Sequence, residues 1–380
     1  MKPASGAKHS DESTATEAAC RNLLRRVLRF TCSSVPHPFW HLCTSVPMKT
    51  PSIHRRTALQ LTATSAMAAW LAQPLILLAQ EAEKTAAEGG QPLPYMDRIG
   101  LQLYTLRDAM KADPEGTLKA VAEAGYRQVE LMNIDDEAVR LAAIARDNGL
   151  IVHSAFMDFN VIAEPEKDGV GSVETTLELA ERIGLRHVVF GYIAKHQRDT
   201  ADKCRAIADR ANKAADQTRN AGMRMCYHNH SFEFATFNGG AAEEVNTEAN
   251  SNEDEKKANK LTAFDIFVER FDPHKMEFEL DVFWAKIGGR DPIEMMRRLA
   301  GRISQVHLKD LKKDTPVITD EGQVPNDAFK ELGNGIIDIP AVMNLAREIG
   351  VDQCHVEQDQ SPAPLDSVRE SYSFLKGAPA

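Results

Sequence analysis

The segment at residues 113–132, DPEGTLKAVAEAGYRQVELM, contains the signals for one helix and for the strand that follows it. Asp113 and Pro114 form a helix start, because an aspartate side chain caps free N–H groups and proline suits the first turn. Gly125 predicts the end of this helix, and the apolar residues after it predict a strand. A helix, a glycine and a strand in this order are typical of βαβ units with a parallel sheet.

The same order of signals recurs from Arg98 to the end of the chain. Asp291 and Pro292 repeat the helix start, and further predicted helices end near Gly184, Gly222, Gly301 and Gly350. Eight strands are predicted, at residues 99–104, 128–132, 151–154, 187–191, 223–228, 277–281, 303–309 and 354–357. Eight strands in about 280 residues match a single α/β domain, a (β/α)8 TIM barrel over residues 98–377.

A doubly wound open sheet is the structural alternative, because it is built from the same βαβ units. However, no G-x-G-x-x-G sequence follows the first predicted strand, and the chain contains no Walker sequence. The closed barrel is therefore the preferred fold.

The composition excludes several classes of protein. The 380 residues are 43% hydrophobic and 26% charged, which is typical of a globular chain and not of a disordered one. A formal net charge of −10, without a run of lysine and arginine, excludes nucleic acid as a partner. Cys204, Cys226 and Cys354 are scattered through the predicted barrel, which argues against a disulfide framework and against a thiolate zinc site.

Residues 57–80 carry no charge and follow Arg55 and Arg56, a combination that resembles a Tat-type export signal. We therefore predict a signal segment at residues 48–80, translation from Met48 and a linker at residues 81–97. Residues 1–47 are interpreted as a misassigned or disordered N-terminus, which N-terminal sequencing of the precursor would test. The chain is expected to be exported to the periplasm with no stable membrane partner after signal cleavage, or to stay membrane-anchored if the signal is uncleaved.

One acidic segment interrupts the barrel pattern. Residues 241–257 hold six acidic residues and almost no apolar side chain. Such a segment cannot bury apolar surface, so a solvated loop insertion is predicted at residues 238–260. A role in covering the active site is the less favoured interpretation.

Catalytic groups of a TIM barrel lie where its strands end. The last four predicted strands end in YHNH (227–230), LD (280–281), HLKD (307–310) and VEQD (356–359). These ends supply the candidate metal ligands His228, Asp281, His307 and Glu357. Each of them alone is more typical of a helix cap or a core residue, but four in succession favour one bound divalent metal ion. Imidazole together with carboxylate suits Mn²⁺, which we favour, and also Zn²⁺, Co²⁺ or Fe²⁺.

Seven motifs follow one another in order along residues 98–377: GLQLYTLRD (100–108), VEL (129–131), YHNHSFEF (227–234), ELDVFW (279–284), HLKD (307–310), LGNGIID (332–338) and VEQD (356–359). Together they resemble the xylose-isomerase-like TIM-barrel proteins that are often described as sugar phosphate isomerase/epimerase. The resemblance implies a metal ion bound by a glutamate, an aspartate, a histidine and a glutamate from strands five to eight. Asp281, His307 and Glu357 match the last three positions, whereas His228 stands where the first glutamate is expected.

The histidine at position 228 changes the chemistry that the resemblance implies. In ketose epimerases of the family, two metal-bound glutamates remove and return a proton on opposite faces of the substrate. Here His228 and Glu357 would share that work, with His230 and Glu233 as further candidate bases. The His-Asn-His form is also similar to that of exported relatives linked to 3-keto-glycoside cleavage, in which deprotonation next to a ketone expels the aglycone.

Four further residues are candidates for substrate binding. Glu130 and His153 stand at the predicted ends of strands two and three, where they would line a pocket. Trp284 is able to stack on a sugar face, and Lys309 is able to direct a cation at a substrate oxygen. Plain roles in capping, in the core or at the surface are alternatives of similar weight for these residues.

The favoured function is a metal-dependent sugar isomerase or epimerase that removes a proton next to a carbonyl group. A 3-keto-glycoside lyase or hydratase on the same barrel and a non-catalytic carbohydrate-binding protein are the alternatives. An endonuclease IV-like activity would need more metal ligands and a basic face, so the acidic balance disfavours it. Because export is predicted, the expected partner is a free sugar, a sugar acid or an oxidised glycoside, and a homo-oligomer is compatible with the sequence.

Overall fold

The computed structural model describes residues 93–237 and 261–378, and all eight predicted barrel strands lie in these ranges. The described strands are β1 (Gly100–Gln102), β2 (Gln128–Leu131), β3 (Ile151–Phe156), β4 (His187–Phe190), β5 (Arg224–His228), β6 (Met276–Asp281), β7 (Ile303–Leu308), β8 (Asp310–Leu311), β9 (Phe329–Lys330) and β10 (Gln353–Val356). Parallel pairing runs β1-β2-β3-β4-β5-β6-β7-β10, and β10 pairs back with β1. This closure confirms the TIM barrel and excludes the open sheet.

Helices alternate with the barrel strands. They are α1 (Arg107–Ala112), α2 (Pro114–Ala124), α3 (Asp136–Asp147), α4 (Asn160–Ala163), α5 (Val173–Ile183), α6 (Ala201–Asn220), α7 (Ala263–Arg270), α8 (Val282–Ile287), α9 (Pro292–Arg298), α10 (Ile339–Glu348) and α11 (Pro364–Gly377). At the start of α2 the Asp113 carboxylate accepts a hydrogen bond from the Gly116 N–H at 3.0 Å, and Gly125 ends the helix with a φ of 117°. The predicted start and end of this helix are confirmed.

Most strands end within one residue of prediction, and the structure departs further from the predicted strands at three places. β1 is shorter, because the chain turns into a 3-10 helix (Leu103–Leu106) directly after Gln102. β3 continues past the predicted end at residue 154 to Phe156. The loop after β7 contains the antiparallel pair of β8 and β9, which no sequence pattern indicated.

Several predicted segments fall outside the described residues: the N-terminus at 1–47, the signal segment at 48–80, the linker up to residue 92 and the acidic insertion at 238–260. The last part of the predicted linker is described and packs on the barrel. Leu93 and Tyr95 are buried there, and the Tyr95 hydroxyl donates to the Val351 carbonyl at 2.7 Å. Within residues 93–237 and 261–378, none of the helices combines the length and the apolar character that crossing a membrane requires.

The centre of the barrel is polar, whereas branched apolar side chains fill the centre of most TIM barrels. In β7, Val306 and Leu308 belong to the apolar core, while Gln305 and His307 point the other way and contact polar residues of other strands. The buried polar side chains of this interior include Gln102, Glu130, Ser154, His228, Glu279, Gln305, His307 and His355. Because buried polar groups need hydrogen-bond partners, this interior forms a connected network beneath the strand ends.

Asp310 anchors the loop that carries the LGNGIID motif. Its carboxylate accepts hydrogen bonds from the N–H groups of Leu311 at 2.9 Å, Gly333 at 3.0 Å, Gly335 at 2.9 Å and Ile337 at 3.0 Å. A Cβ atom at Gly335 would lie 2.2 Å from an Asp310 carboxylate oxygen and 2.4 Å from the Leu311 carbonyl oxygen. The glycines therefore allow the backbone to approach Asp310, which explains why HLKD and LGNGIID occur together in this chain.

Replacing Asp310 by alanine is expected to lower the free energy of unfolding by about 3 kcal/mol or more, because several N–H groups lose one shared acceptor at about 1–3 kcal/mol each. Urea denaturation measures this change. The matched control is Asp366→Ala, since the Asp366 side chain is 77% exposed and its loss should cost within about 0.5 kcal/mol. Equal destabilisation by the two substitutions would contradict the anchoring role.

Candidate active site

A cavity of about 410 Å³ opens at the C-terminal ends of the barrel strands. Strand ends and the loops that follow them form its wall, as in other TIM-barrel active sites. Five of the residues predicted from the sequence line it: His228, His230, Trp284, Lys309 and Glu357.

Asp281 and His307 lie buried beside this cavity, next to His228. One ligand atom from each of these three residues lies within 4.8 Å of the others. Asp281 Oδ2 is 3.9 Å from both His228 Nε2 and His307 Nδ1, and Glu357 Oε2 is 2.8 Å from His307 Nδ1. Three of the four residues that the sequence nominates as metal ligands thus form one cluster, and the fourth, Glu357, contacts His307 of that cluster.

The chemistry of this cluster fits a divalent metal ion. Asp281 is fully buried, and its Oδ1 atom caps the Trp284 N–H at 2.8 Å, whereas its Oδ2 atom forms no hydrogen bond to the described residues and has the Lys309 ammonium 3.0 Å away. Burial raises the pKa of Asp281 above its usual value, so its charged form needs a cation close by. Two imidazoles with carboxylates are a donor set that suits Mn²⁺, Zn²⁺, Co²⁺ and Fe²⁺.

The Lys309 ammonium lies among the same carboxylates. Its Nζ atom is 3.0 Å from Asp281 Oδ2, 2.7 Å from Glu357 Oε2 and 2.6 Å from Asp359 Oδ1. Burial opposes the charge on Lys309, but the three carboxylates outweigh burial and raise its pKa well above the usual value. Burial likewise opposes the charge on Glu357, yet Lys309 and His307 hold the pKa of this carboxyl below its usual range. Lys309 therefore acts as a counter-ion to the carboxylates.

Glu130 does not line the cavity, and this corrects the substrate-binding prediction. Its side chain is fully buried inside the barrel, where Oε2 accepts from Gln102 Nε2 at 2.7 Å and contacts His307 Nε2 at 2.7 Å. The Ser154 hydroxyl donates to the other carboxylate oxygen at 2.5 Å. Glu130 lies too deep in the barrel to reach the cavity. Met132, just beyond the end of β2, lines the cavity wall in this region instead.

His153 lies at the opposite end of the barrel, and its predicted role in the pocket is also corrected. It lines a separate cavity together with Gln128, His187 and Gln353, which stand at or near the N-terminal ends of their strands. Since β3 continues beyond the predicted end, Phe156 occupies the cavity wall where His153 was expected.

His230 and Trp284 form one aromatic side of the cavity. The His230 ring stacks on Phe232 with a centroid distance of 5.4 Å and lies 5.2 Å from the Trp284 ring. Burial, together with the Lys309 charge, lowers the pKa of His230 to about 3. The imidazole is therefore neutral at pH 7 and has one donor and one acceptor nitrogen.

Glu233 was predicted as a catalytic base, but the structure places it outside the cavity wall. Its fully buried carboxyl group accepts from the Tyr227 hydroxyl at 2.6 Å and from the His230 N–H at 2.9 Å. The 3-10 helix Phe232–Phe234 turns the side chain back toward the barrel wall. Glu233 therefore braces the loop that carries His230, and the catalytic prediction is corrected.

Residues 118–378 match the family described as xylose isomerase-like TIM barrel. The chain belongs to this family. The match confirms the resemblance that the seven motifs suggested.

Individual relatives of this xylose isomerase-like chain are distant. An inosose dehydratase of Geobacillus kaustophilus is 28% identical over 191 residues, which cover 48% of this chain and 53% of the relative. In this and similar matches the chain spans about half the length of the curated relatives. A sugar phosphate isomerase/epimerase structure from Parabacteroides distasonis has a TM-score of 0.56 at 22% identity, covering 74% of this chain and 94% of that one. The IOLI protein, in a structure with a bound zinc atom, has a TM-score of 0.50 at 17% identity, covering 73% and 96%.

Some residues of the site were missed from the sequence. Asp359 binds Lys309 and belongs to the VEQD motif, and Glu279 faces the same interior as Asp281, two positions along the strand. Strand alternation could have found Glu279. Glu321 and Phe329 line the cavity from the part of the loop after β7 that precedes the LGNGIID motif, where the sequence shows no recognisable signal.

The raised pKa of Glu233 predicts a pH-dependent stability. Burial raises this pKa from 4.5 to about 7, so the folded chain binds the proton more tightly than the unfolded chain. The contribution of Glu233 to stability is then largest at low pH and falls as the pH rises from about 4.5 through about 7, by up to about 3 kcal/mol. Glu233→Gln cannot ionise, so its urea midpoint should fall less over this window, whereas the exposed-site control Glu174→Gln should keep the native slope. An unchanged slope in Glu233→Gln would contradict this assignment.

Proposed function

We propose that this chain is a divalent-metal-dependent lyase acting on an uncharged keto-sugar or keto-cyclitol. The enzyme removes the proton next to the ketone and then expels water or an alcohol from the neighbouring carbon. The observation that carries this proposal is the convergence of His228, Asp281, His307 and Glu357 beside the cavity. The inosose dehydratase relative supports the reaction type, and the zinc-bound fold neighbour supports a metal.

His228, Asp281, His307 and Glu357 are the residues that would hold the metal ion. When bound there, a divalent ion polarises the substrate carbonyl and stabilises the negative charge that deprotonation produces. Mn²⁺ is our favoured ion, and Zn²⁺, Co²⁺ and Fe²⁺ suit the same donors.

Glu357 is the proposed base. Its carboxylate lines the cavity and stays ionised beside Lys309 and His307. The substrate C–H bond breaks with its proton passing to Glu357, and a carbon–carbon double bond forms as the neighbouring C–O bond breaks. The proton then passes from Glu357 to the leaving oxygen, so that water or an alcohol departs. Lys309 places a positive charge at the cavity wall, and neutral His230 holds a substrate hydroxyl.

Elimination suits this set of residues better than epimerisation does. Epimerisation through two opposed carboxylates would need a glutamate at the end of β5, where His228 stands. Glu233, the other carboxylate of that region, faces away from the cavity. A single carboxylate base that first removes and then delivers a proton is sufficient for elimination. Isomerisation or epimerisation remains the second candidate, because the sugar phosphate isomerase/epimerase neighbour has the same fold.

The charge of the cavity favours an uncharged substrate. Glu321, Glu357 and Asp359 line it, and Lys309 is the one lysine or arginine among the described lining residues. Because Lys309 already contacts three carboxylates, no free cation is left there to pair with a phosphate group. The Trp284 ring offers an apolar face for a sugar ring.

A labelling experiment separates the candidate reactions. The Mn²⁺-loaded protein is incubated in D₂O with 3-keto-glycosides and, separately, with free ketoses. We expect release of the aglycone from the keto-glycosides and no conversion of the free ketoses. Solvent deuterium in an isomerised ketose without aglycone release would favour the isomerase. Protein that carries less than stoichiometric metal and shows no turnover on supplementation would leave only a carbohydrate-binding role.

Glu357→Gln tests the assigned base. At saturating Mn²⁺ this substitution is expected to lower kcat by about 100-fold or more, because general-base catalysis contributes about 10²–10⁴-fold. KM should change much less, since the amide keeps the shape of the side chain. Glu348→Gln, on the exposed surface of α10, serves as the control and should retain native rates. A kcat within threefold of native for Glu357→Gln would exclude this residue as the base.

A further inference from the structure

The nitrogen of His307 that faces away from the cavity contacts a buried carboxylate. His307 Nδ1 lies toward Glu357 and Asp281, whereas His307 Nε2 is 2.7 Å from Glu130 Oε2. Glu279 lies beside this contact, with Oε1 3.3 Å from His307 Nε2 and Oε2 3.3 Å from His228 Nδ1. Both imidazoles of the candidate metal cluster thus contact carboxyl groups on the side that faces away from the cavity.

Neighbouring strands hold the Glu130 carboxylate in place. Gln102 of β1 donates to Oε2 at 2.7 Å, and Ser154 of β3 donates to Oε1 at 2.5 Å. Gln305 of β7 donates to Ser154 Oγ and to Glu279 Oε1, both at 2.9 Å. The acceptor beneath His307 is therefore fixed by contacts from several strands, so its position is set by the barrel itself.

A neutral imidazole has one N–H group and one lone pair, and only the lone pair can bind a metal ion. When Nε2–H donates to a carboxylate, the lone pair remains on Nδ1. In the absence of a metal ion both ring nitrogens of His307 donate, because Nδ1 lies 2.8 Å from Glu357 Oε2 and Nε2 lies 2.7 Å from Glu130 Oε2. A metal ion at Nδ1 would take the place of the Nδ1 proton, while Nε2–H would still donate to Glu130.

We infer that Glu130 is a positioning residue, which fixes the tautomer and ring orientation of His307 so that Nδ1 is presented to the metal. This inference rests on the proposed function, because it assumes that His307 binds the metal ion. It also gives a role to a residue that was predicted from the sequence to bind substrate but that lies beneath the cavity.

The same region offers a competing explanation. Ligand atoms of Glu130, Glu279, His307 and His355 also lie within 4.8 Å of one another, as a second metal site would require. However, both oxygens of Glu130 are already engaged by hydrogen bonds from Gln102, Ser154 and His307. These hydrogen-bond donors thus stabilise the charge of the Glu130 carboxylate, as a second cation would otherwise do. One metal ion per chain is therefore expected.

The test compares Glu130→Met with Glu130→Gln, using the full chain. Methionine fills a similar volume without an acceptor, whereas glutamine keeps an acceptor oxygen. Affinity for Zn²⁺, measured by chelator competition, should fall about 10–100-fold in Glu130→Met and less in Glu130→Gln. The visible absorption of the Co²⁺-loaded protein should shift in the methionine variant, because the ligand geometry changes. Ring nitrogen NMR of the Zn²⁺-loaded native chain should report His307 as protonated on Nε2.

Glu277→Gln is the matched control. Glu277 belongs to the same strand as Glu279, but its carboxylate pairs with Arg224 at 2.7 Å, away from the metal cluster. This substitution should leave Zn²⁺ affinity and the Co²⁺ spectrum unchanged. If Glu130→Met does not fold, Ser154→Ala, which removes one hydrogen bond from Glu130, should weaken Zn²⁺ binding by a smaller factor.

The outcomes separate the inference from the proposed function. Zn²⁺ affinity in Glu130→Met and in Ser154→Ala equal to that of Glu277→Gln would overturn the positioning role. Two metal ions per native chain, with one lost in Glu130→Met, would also overturn it and would identify a second metal site. A native chain that binds no metal ion would defeat the proposed function itself, whereas one bound ion with unchanged variants would defeat only this inference.

Discussion

The structure depends on the need to satisfy charged side chains inside a closed barrel. The backbone groups of each strand are paired with the neighbouring strands, so polar side chains in the interior must find partners in one another. Glu130 meets this need through Gln102, Ser154 and His307, each from a different strand. A shift of one strand by one residue would turn its side chains out of the interior. The polar network and the strand register therefore stabilise each other.

The same polar network also fixes the positions of the site residues at the C-terminal ends of the strands. Because the interior supplies fixed acceptors, His307 and Asp281 stand at defined places beside the cavity without contacting bulk water. The cavity itself combines carboxylates with an aromatic side formed by His230 and Trp284. Such a surface is suited to a neutral polyhydroxylated ring, since hydroxyl groups meet carboxylates and a C–H face meets the indole. Membership of the xylose isomerase-like family agrees with this arrangement.

The sequence predicted the barrel and the convergence of four candidate ligands, because both follow from local signals. Helix caps and glycines mark each βαβ unit, and parallel strands of a barrel end at one rim. Depth inside the barrel depends on where a strand stops, and this is not a local property. His153 and Glu130 were misplaced for that reason, with Phe156 taking one of the two places in the wall. Glu233 was misplaced because a 3-10 turn directs its side chain away from the cavity. Phe329 lies in the part of the loop after β7 that precedes the LGNGIID motif, where no sequence pattern marks it.

The ammonium group of Lys309 has a consequence for how the protein is assembled. Structural zinc domains often cannot fold until their metal arrives, because the site does not exist in the unfolded chain and metal binding supplies the free energy of folding. In this chain the Lys309 ammonium already offsets part of the negative charge of Asp281, Glu357 and Asp359. Part of the charge balance of this rim is thus built into the chain itself, so the folded barrel does not depend on an added ion for all of it.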